Sequence, residues 1–182
     1  MILVTGNLDK WKEAQRILGK PLDREALDLP EIQAPTTREV ALEKVRTAFA
    51  QLKKPVIVED AGLEFAALGG FPGPFIKFWE KLGGLESICH ALDGCATREA
   101  VAVCVLGLCD ESGARVVEGR VQGTISSRPR GDNGFGWDAI FIPEGETRTF
   151  AEMTGAEKDA RSHRRRAWEA LAQIGERVTL KT

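Results

Sequence analysis

Residues 100–109, "AVAVCVLGLC", are apolar at odd and even positions alike. A strand shows apolar groups on both faces only where both faces are covered, so this run predicts a central strand with layers packed on each side. After a turn near Glu111-Ser112-Gly113, residues 115–125 alternate. Val117, Gly119, Val121, Gly123 and Ile125 fall on one face, and Glu118, Arg120, Gln122 and Thr124 on the other. The pair predicts an antiparallel hairpin.

The rest of the chain supplies partners for that hairpin. Residues 1–5 read as a short buried strand, and 9–18 as a helix that buries Trp11, Ala14, Ile17 and Leu18 before Gly19 and Pro21 stop it. Thr36-x-x-Glu39 fits a capping box, followed by Ala41, Val45, Ala48, Phe49 and Leu52 at helical spacing. In "PVIVEDAGLEF" a strand from Val56 to Val58 is expected to end at Glu59 and Asp60, where open α/β sheets carry their ligands. The Gly- and Pro-rich residues 68–75, "LGGFPGPF", read as a shaped loop. The glycine-rich "RPRGDNGFGWD" leads into a short strand, Ala139 to Ile142, and a helix from about Ser162 to Glu176 closes the chain. Helices and strands interleave, which predicts an α/β fold with a mixed sheet. With no repeat and no long linker, residues 1–182 are expected to form a single domain.

The net charge of −2 gives no general attraction to nucleic acid or membrane, so an anion site has to be local. No stretch of about 18 apolar residues is present, and the N-terminus lacks a basic segment followed by an apolar one, so neither membrane insertion nor secretion is expected. Cys89, Cys95, Cys104 and Cys109 have no C-x-x-C spacing and read as reduced thiols of a cytoplasmic protein, Cys104 buried.

Three groups of residues can carry chemistry. Glu31, Glu59 and Asp60 offer carboxylate oxygens suited to Mg²⁺, which takes one or two of them and bridges to phosphates; a lone Glu31 on the surface is the plain alternative. Lys10, Lys44 and Lys158 form a cation set with Arg164, Arg165 and Arg166. Three arginines in a first helical turn oppose the helix dipole, so either an anionic ligand sits there or the arginines fan into solvent beside Glu157 and Glu169. His163, after Ser162 as a plausible cap, could donate to a keto oxygen together with those arginines. In "GFGWD", Phe135 and Trp137 could stack on a nucleobase while Asp138 accepts from a base N–H; the alternative is that both rings plug the end of the sheet.

Together, "TGNxxKxxE", "VEDAGLEFAALGGFPGPFIKF", "GFGWDAIF" and "FAEMTGAEKDARSHRRRA" resemble the signature segments of the inosine triphosphate pyrophosphatase family, in order over residues 1 to about 172. The resemblance implies an elongated mixed sheet flanked by helices, two lobes around a central cleft, and a homodimer. It implies Mg²⁺-dependent hydrolysis of ITP, dITP or XTP to the monophosphate and pyrophosphate. By position, Thr5, Gly6, Asn7 and Lys10 would bind the triphosphate. Asp60, Glu59 and Lys10 would stand at the reaction centre, and Glu31 and Asp60 would hold the metal. Lys44, Phe135, Gly136, Trp137, Asp138, Lys158, Ser162, His163 and Arg164 would complete the substrate site, and "GGFPGPF" would lie near the dimer contact. Phe75 stands where the family often has Tyr, "VEDAGLEF" has the Glu-Asp form, and "SHRRRA" carries extra positive charge. A pyrophosphatase for modified pyrimidine nucleotides and a non-catalytic nucleotide-binding protein are the competing readings.

Overall fold

The computed structural model describes the backbone of residues 1–179 and the side chains of residues 1–174. Strand β1 (Ile2–Val4) leads through a turn into helix α1 (Leu8–Leu18), which Asn7 caps by accepting from the backbone N–H of Asp9 and Lys10. A two-residue strand β2 (Arg24–Glu25) precedes helix α2 (Thr37–Leu52), whose Thr36–Glu39 capping box is formed as expected. Strand β3 (Val56–Phe65) is followed by the short strand β4 (Pro72–Gly73) and helix α3 (Ile76–His90). The hairpin of β5 (Glu99–Asp110) and β6 (Gly113–Ile125) comes next, then β7 (Phe141–Pro143), helix α4 (Gly155–Arg161) and helix α5 (His163–Thr179).

All seven strands form one sheet of order β2-β1-β3-β5-β6-β7, with β4 added to β3. β1 runs parallel to β2 and β3, and every other pairing is antiparallel, so the sheet is mixed. At about 3.3 Å per residue the hairpin reaches roughly 40 Å, which elongates the sheet.

β5 is covered on both sides. Cys104, Leu106 and Leu108 pack with Leu3, Ala14, Ala167 and Trp168 under α1 and α5, while Val103, Val105 and Cys109 meet α2. Each fully buried Val or Leu here contributes about 1.5–3 kcal/mol. Two glycines set the spacing of these layers. A Cβ on Gly107 would stand 2.9 Å from the Ala41 carbonyl of α2, and one on Gly119 would overlap the His163 carbonyl and the Ala167 amide of α5. A third cluster, around Phe65, Ile88, Phe141 and Phe150, fills the far end of the hairpin beneath α3.

Several boundaries differ from expectation. β3 does not stop at Val58: Glu59 and Asp60 keep their ladder positions opposite Leu106 and Val105, and the strand runs on to Phe65. Ala139 lies in a 3₁₀ turn, Gly136–Ala139, so the next strand begins at Phe141. α3 has no counterpart in the sequence reading because Gly84, at φ 74° and ψ 167°, breaks its helical period. α4, only seven residues long, is announced by a capping box between Thr154 and Glu157 that the reading passed over. Of the residues expected beneath α1, Ala14 is fully buried, and Trp11, Ile17 and Leu18 are partly buried at the edge of the same cluster.

Candidate active site

On one side β3 is paired along its whole length with β5. On the other side β1 covers only Val56 to Val58 and β4 only Leu63 and Glu64, so Glu59 to Gly62 have no strand neighbour there. A cleft of about 570 Å³ has Glu59, Asp60 and Ala61 on its wall. The turn after β1, Lys10 of α1, Lys44 of α2, Lys77 and Glu80 of α3, the 135–138 loop and the start of α5 close around it.

One end is built for negative charge. Lys10 Nζ lies 3.5 Å from both the backbone oxygen and Oε1 of Glu59. Lys44 Nζ is 2.6 Å from Glu31 Oε1 and 3.9 Å from Asp60 Oδ2, and Lys77 Nζ is 3.5 Å from Glu31 Oε2. Three helices therefore bring one ammonium each. Burial pushes the Glu31 carboxyl up, but Lys44 and Lys77 outweigh it and hold it below the usual range. Burial lowers the Lys44 ammonium, and Asp60 with Glu31 more than restores it. The Asn7 side chain caps α1 while Thr5 Oγ1 accepts from the Asn7 N–H at 3.1 Å, which fixes the open turn around Gly6. Lys77 was not singled out from sequence, although it lies two residues after "GGFPGPF".

Glu31 and Asp60 converge on the Lys44 ammonium, a cation already held between two carboxylates. Two carboxylates are a donor set of the kind Mg²⁺ takes, and these two residues would hold it. No cluster of three or more His, Cys, Asp or Glu side chains able to hold a metal occurs among the described residues.

Behind the cleft wall runs a buried chain of alternating charge. Asp138 Oδ2 accepts from Lys158 Nζ at 2.5 Å, and Lys158 also donates to Glu13 Oε1 at 2.6 Å. Glu13 accepts in turn from Arg164, which makes two further bonds to Glu59 at 2.8 and 2.9 Å, and Glu59 faces Lys10. Glu13, Glu59, Lys158 and Arg164 are each no more than 3% exposed. Burial pushes Glu59 up, yet Arg164 and Lys10 bring it below its ordinary value. At the other end burial dominates, and Asp138 is raised despite Lys158.

This chain accounts for the arginines of α5 without an anionic ligand. Arg164 turns inward to Glu59 and Glu13, Arg165 donates to the Asp159 carbonyl and to Glu169, and Arg166 donates to the Arg120 carbonyl. The expected anion at that helix start is not needed, because three of the five guanidinium N–H groups of Arg164 already meet carboxylates. Glu13, the acid joining Lys158 to Arg164, had no role in the sequence reading beyond its place in "TGNxxKxxE".

The opposite end of the cleft is less polar. Phe135 is partly exposed, with Lys158 Nζ 4.7 Å and the Arg164 guanidinium 5.4 Å from its ring centre. Its N–H donates to Asp138 Oδ2 at 2.8 Å and closes the loop through Gly136. Trp137 is 8% exposed and packs on Phe141 and His163, so this ring does plug the sheet end as well as line the cleft. His163 is buried, reaches the cleft, and neither ring nitrogen has a partner among the described residues. Burial, then the charges of Arg164, Lys158 and Lys10, push it well below its ordinary value, so it is a neutral imidazole with one donor and one acceptor. Unpaired buried nitrogens are costly, and these stand on the cleft wall, within reach of whatever enters it. Ser162 and Lys158 do not line the cleft: Ser162 accepts from the Arg165 N–H, and Lys158 stands behind Asp138. The other residues expected at the substrate, metal and reaction centres all face the one cleft.

A sequence model of the Ham1 family matches residues 1–174. A dITP/XTP pyrophosphatase of Methanopyrus kandleri is 42% identical over 177 residues, covering 95% of this chain and 94% of its own length. An inosine triphosphate pyrophosphatase of Batrachochytrium dendrobatidis is 44% identical over 183 residues, covering 97% and 92%. Among solved structures, a HAM1 protein from Coxiella burnetii superposes with a TM-score of 0.81 at 31% identity over 97% of this chain and 98% of the other. The Staphylococcus aureus Ham1 protein gives 0.80 at 29% identity over 96% and 97%.

Proposed function

The chain belongs to the Ham1 family, and from that premise we propose that it hydrolyses non-canonical purine nucleoside triphosphates, ITP, dITP and XTP, to the monophosphate and pyrophosphate. The observation that carries this reading is the polarity of the cleft. Three lysines and two converging carboxylates occupy one end, and an unpartnered neutral imidazole beside an aromatic loop occupies the other.

Lys10, Lys44 and Lys77 take up the charge of the triphosphate. Glu31 and Asp60 are the residues that would hold Mg²⁺, which supplies charge neutralisation at the phosphate oxygens. Asp60 orients a water toward the α-phosphorus and accepts its proton. As the new oxygen–phosphorus bond forms, the bond to the bridging oxygen breaks and pyrophosphate departs with that oxygen. Cations fixed around the leaving group stabilise its growing charge, usually the largest contribution in phosphoryl transfer. At the base end the His163 N–H meets a 6-keto oxygen. Adenine turns a 6-amino group toward that donor and leaves it unpaired, which a buried site penalises strongly.

A homodimer is part of the same proposal: Phe71, Phe78 and Leu82 are exposed, Phe78 and Leu82 one turn apart on α3 and Phe71 packed at a tilt against Trp79 of that helix. So is a cytoplasmic location, in keeping with four free cysteines of which three are buried. No helix among the described residues is long and apolar enough to cross a membrane.

The test is pyrophosphate release from ITP, XTP, GTP, ATP and dTTP, with Mg²⁺ and with EDTA. Release is expected from ITP and XTP, abolished by EDTA, and reduced by about 10²–10⁴ in Asp60→Asn. Release from dTTP at the ITP rate refutes the purine reading, and full activity of Asp60→Asn removes that residue from the chemistry.

A further inference from the structure

Glu80 has no part in the chemistry above, yet it lines the cleft from α3. A methyl group on Gly136 would stand 3.5 and 4.0 Å from its two carboxyl oxygens, which places the acid directly against the aromatic loop. Glu80 takes part in no hydrogen bond or ion pair among the described residues. The buried acids behind this end are balanced: Asp138 and Glu13 alternate with Lys158 and Arg164. Glu80 adds one negative charge to a set that is already neutral.

The two ends of the cleft treat negative charge in opposite ways. Glu31 and Glu59, beside the lysines, lose protons more readily than usual. Asp138 and Glu80, at the aromatic loop, hold theirs more tightly, Glu80 through burial first and the charge of Asp138 second. An anionic phosphate meets three ammonium groups at one end; at the other, burial penalises any charge, and Glu80 sets an unpaired carboxyl against the loop, across from Lys158 and Arg164 behind Phe135.

Resting on the reading of this loop as the base site, we propose that Glu80 is a specificity-determining residue that disfavours a base carrying negative charge, and so biases the cleft toward hypoxanthine over xanthine. The two bases differ only at C2, where xanthine has a second keto oxygen and an added ring N–H. That second keto group makes xanthine acidic enough to carry ring charge near neutral pH, whereas hypoxanthine and guanine stay neutral. Sugar and triphosphate are common to all three nucleotides, so ratios between them isolate what the base meets.

The experiment compares kcat/KM for ITP, XTP and GTP in the wild-type protein, Glu80→Gln and Glu80→Asp. Gln keeps the shape of the side chain and removes its charge; Asp keeps the charge. At about pH 8, the XTP to ITP ratio is expected to rise about tenfold in Glu80→Gln, the size of effect a unit charge has several ångströms away at a half-exposed site. The GTP to ITP ratio is expected to stay within about twofold, and Glu80→Asp to keep the wild-type XTP to ITP ratio. An unchanged XTP to ITP ratio in an active Glu80→Gln protein overturns the proposal and leaves the hydrolase intact. A GTP to ITP ratio that rises in step with XTP also overturns it, since the side chain then acts by bulk and not by charge. A wild-type protein that releases pyrophosphate from none of the three overturns the hydrolase reading, and the role of Glu80 with it.

Discussion

Replacing Glu13 by Gln tests whether the buried charge chain holds the site together. The substitution keeps the size and hydrogen-bonding reach of the side chain and removes one negative charge from between Lys158 and Arg164. Lys10, Lys158 and Arg164 are then left with only Glu59 and Asp138. Asp138 is the weaker of the two, because burial already favours its protonated form. Breaking one partner out of such a buried set costs about 3–5 kcal/mol. For a domain of this size, with 1 kcal/mol worth about 2–4 °C, that corresponds to a fall in Tm of roughly 6–20 °C. Calorimetry on Glu13→Gln measures it directly. A Lys158→Met substitution added to Glu13→Gln restores the balance of charge, so the double variant should recover part of the loss, giving a favourable coupling in the mutant cycle. Glu13→Gln with Tm within about 2 °C of wild type, or strictly additive effects in the cycle, refutes the view that Glu13 links the two cations energetically.

Two further predictions concern acid and packing. The folded pKa of Glu59 is lowered, so its stabilisation is fully present above the ordinary value of 4.5 and is lost as pH falls through the folded value. His163 is also lowered, from 6.5, so below that pH the unfolded chain binds a proton that the folded protein refuses, and stability declines from there downward. A His163→Phe protein should show a flatter dependence of Tm on pH between about 6.5 and 5, and an unchanged slope contradicts the neutral imidazole. Gly119→Ala forces β6 away from the backbone of α5, and thermal unfolding should fall by about 1–3 kcal/mol, the usual cost of overpacking. Because α5 carries His163 and Arg164, ITP hydrolysis should fall with it, while an unaffected Tm shows that the helix can move aside freely.

Elements that announce themselves by local chemistry were legible in the sequence. The β5–β6 hairpin follows from ten apolar residues and a period of two, and the start of α2 from Thr36 and Glu39. The turn at Thr5-Gly6-Asn7, the acids and the aromatic loop were legible as candidates, because each pairs an unusual residue with an expected strand end or a glycine. What was not legible was set by contacts remote in sequence. The run of β3 past Val58 depends on Arg164, 105 positions away from Glu59, since a buried glutamate inside a ladder needs a cation that only the folded chain supplies.

The same fact explains how the cleft arises. A strand carrying Glu59 and Asp60 remains in the sheet because β5 satisfies one edge, while β1 and β4 stop short of these residues on the other. The gap exposes backbone oxygen as well as carboxylate, and Lys10 reaches both on Glu59. Sequence reasoning placed the acids beyond the end of a strand, where loops would have to hold them in position. Held within a ten-residue strand, Asp60 has its backbone fixed along one edge by the β5 ladder, opposite Val105, which holds its carboxylate more firmly than a loop does. The interruption of the sheet, more than any one residue beside it, is what lets a rigid element present carboxylates to the cleft.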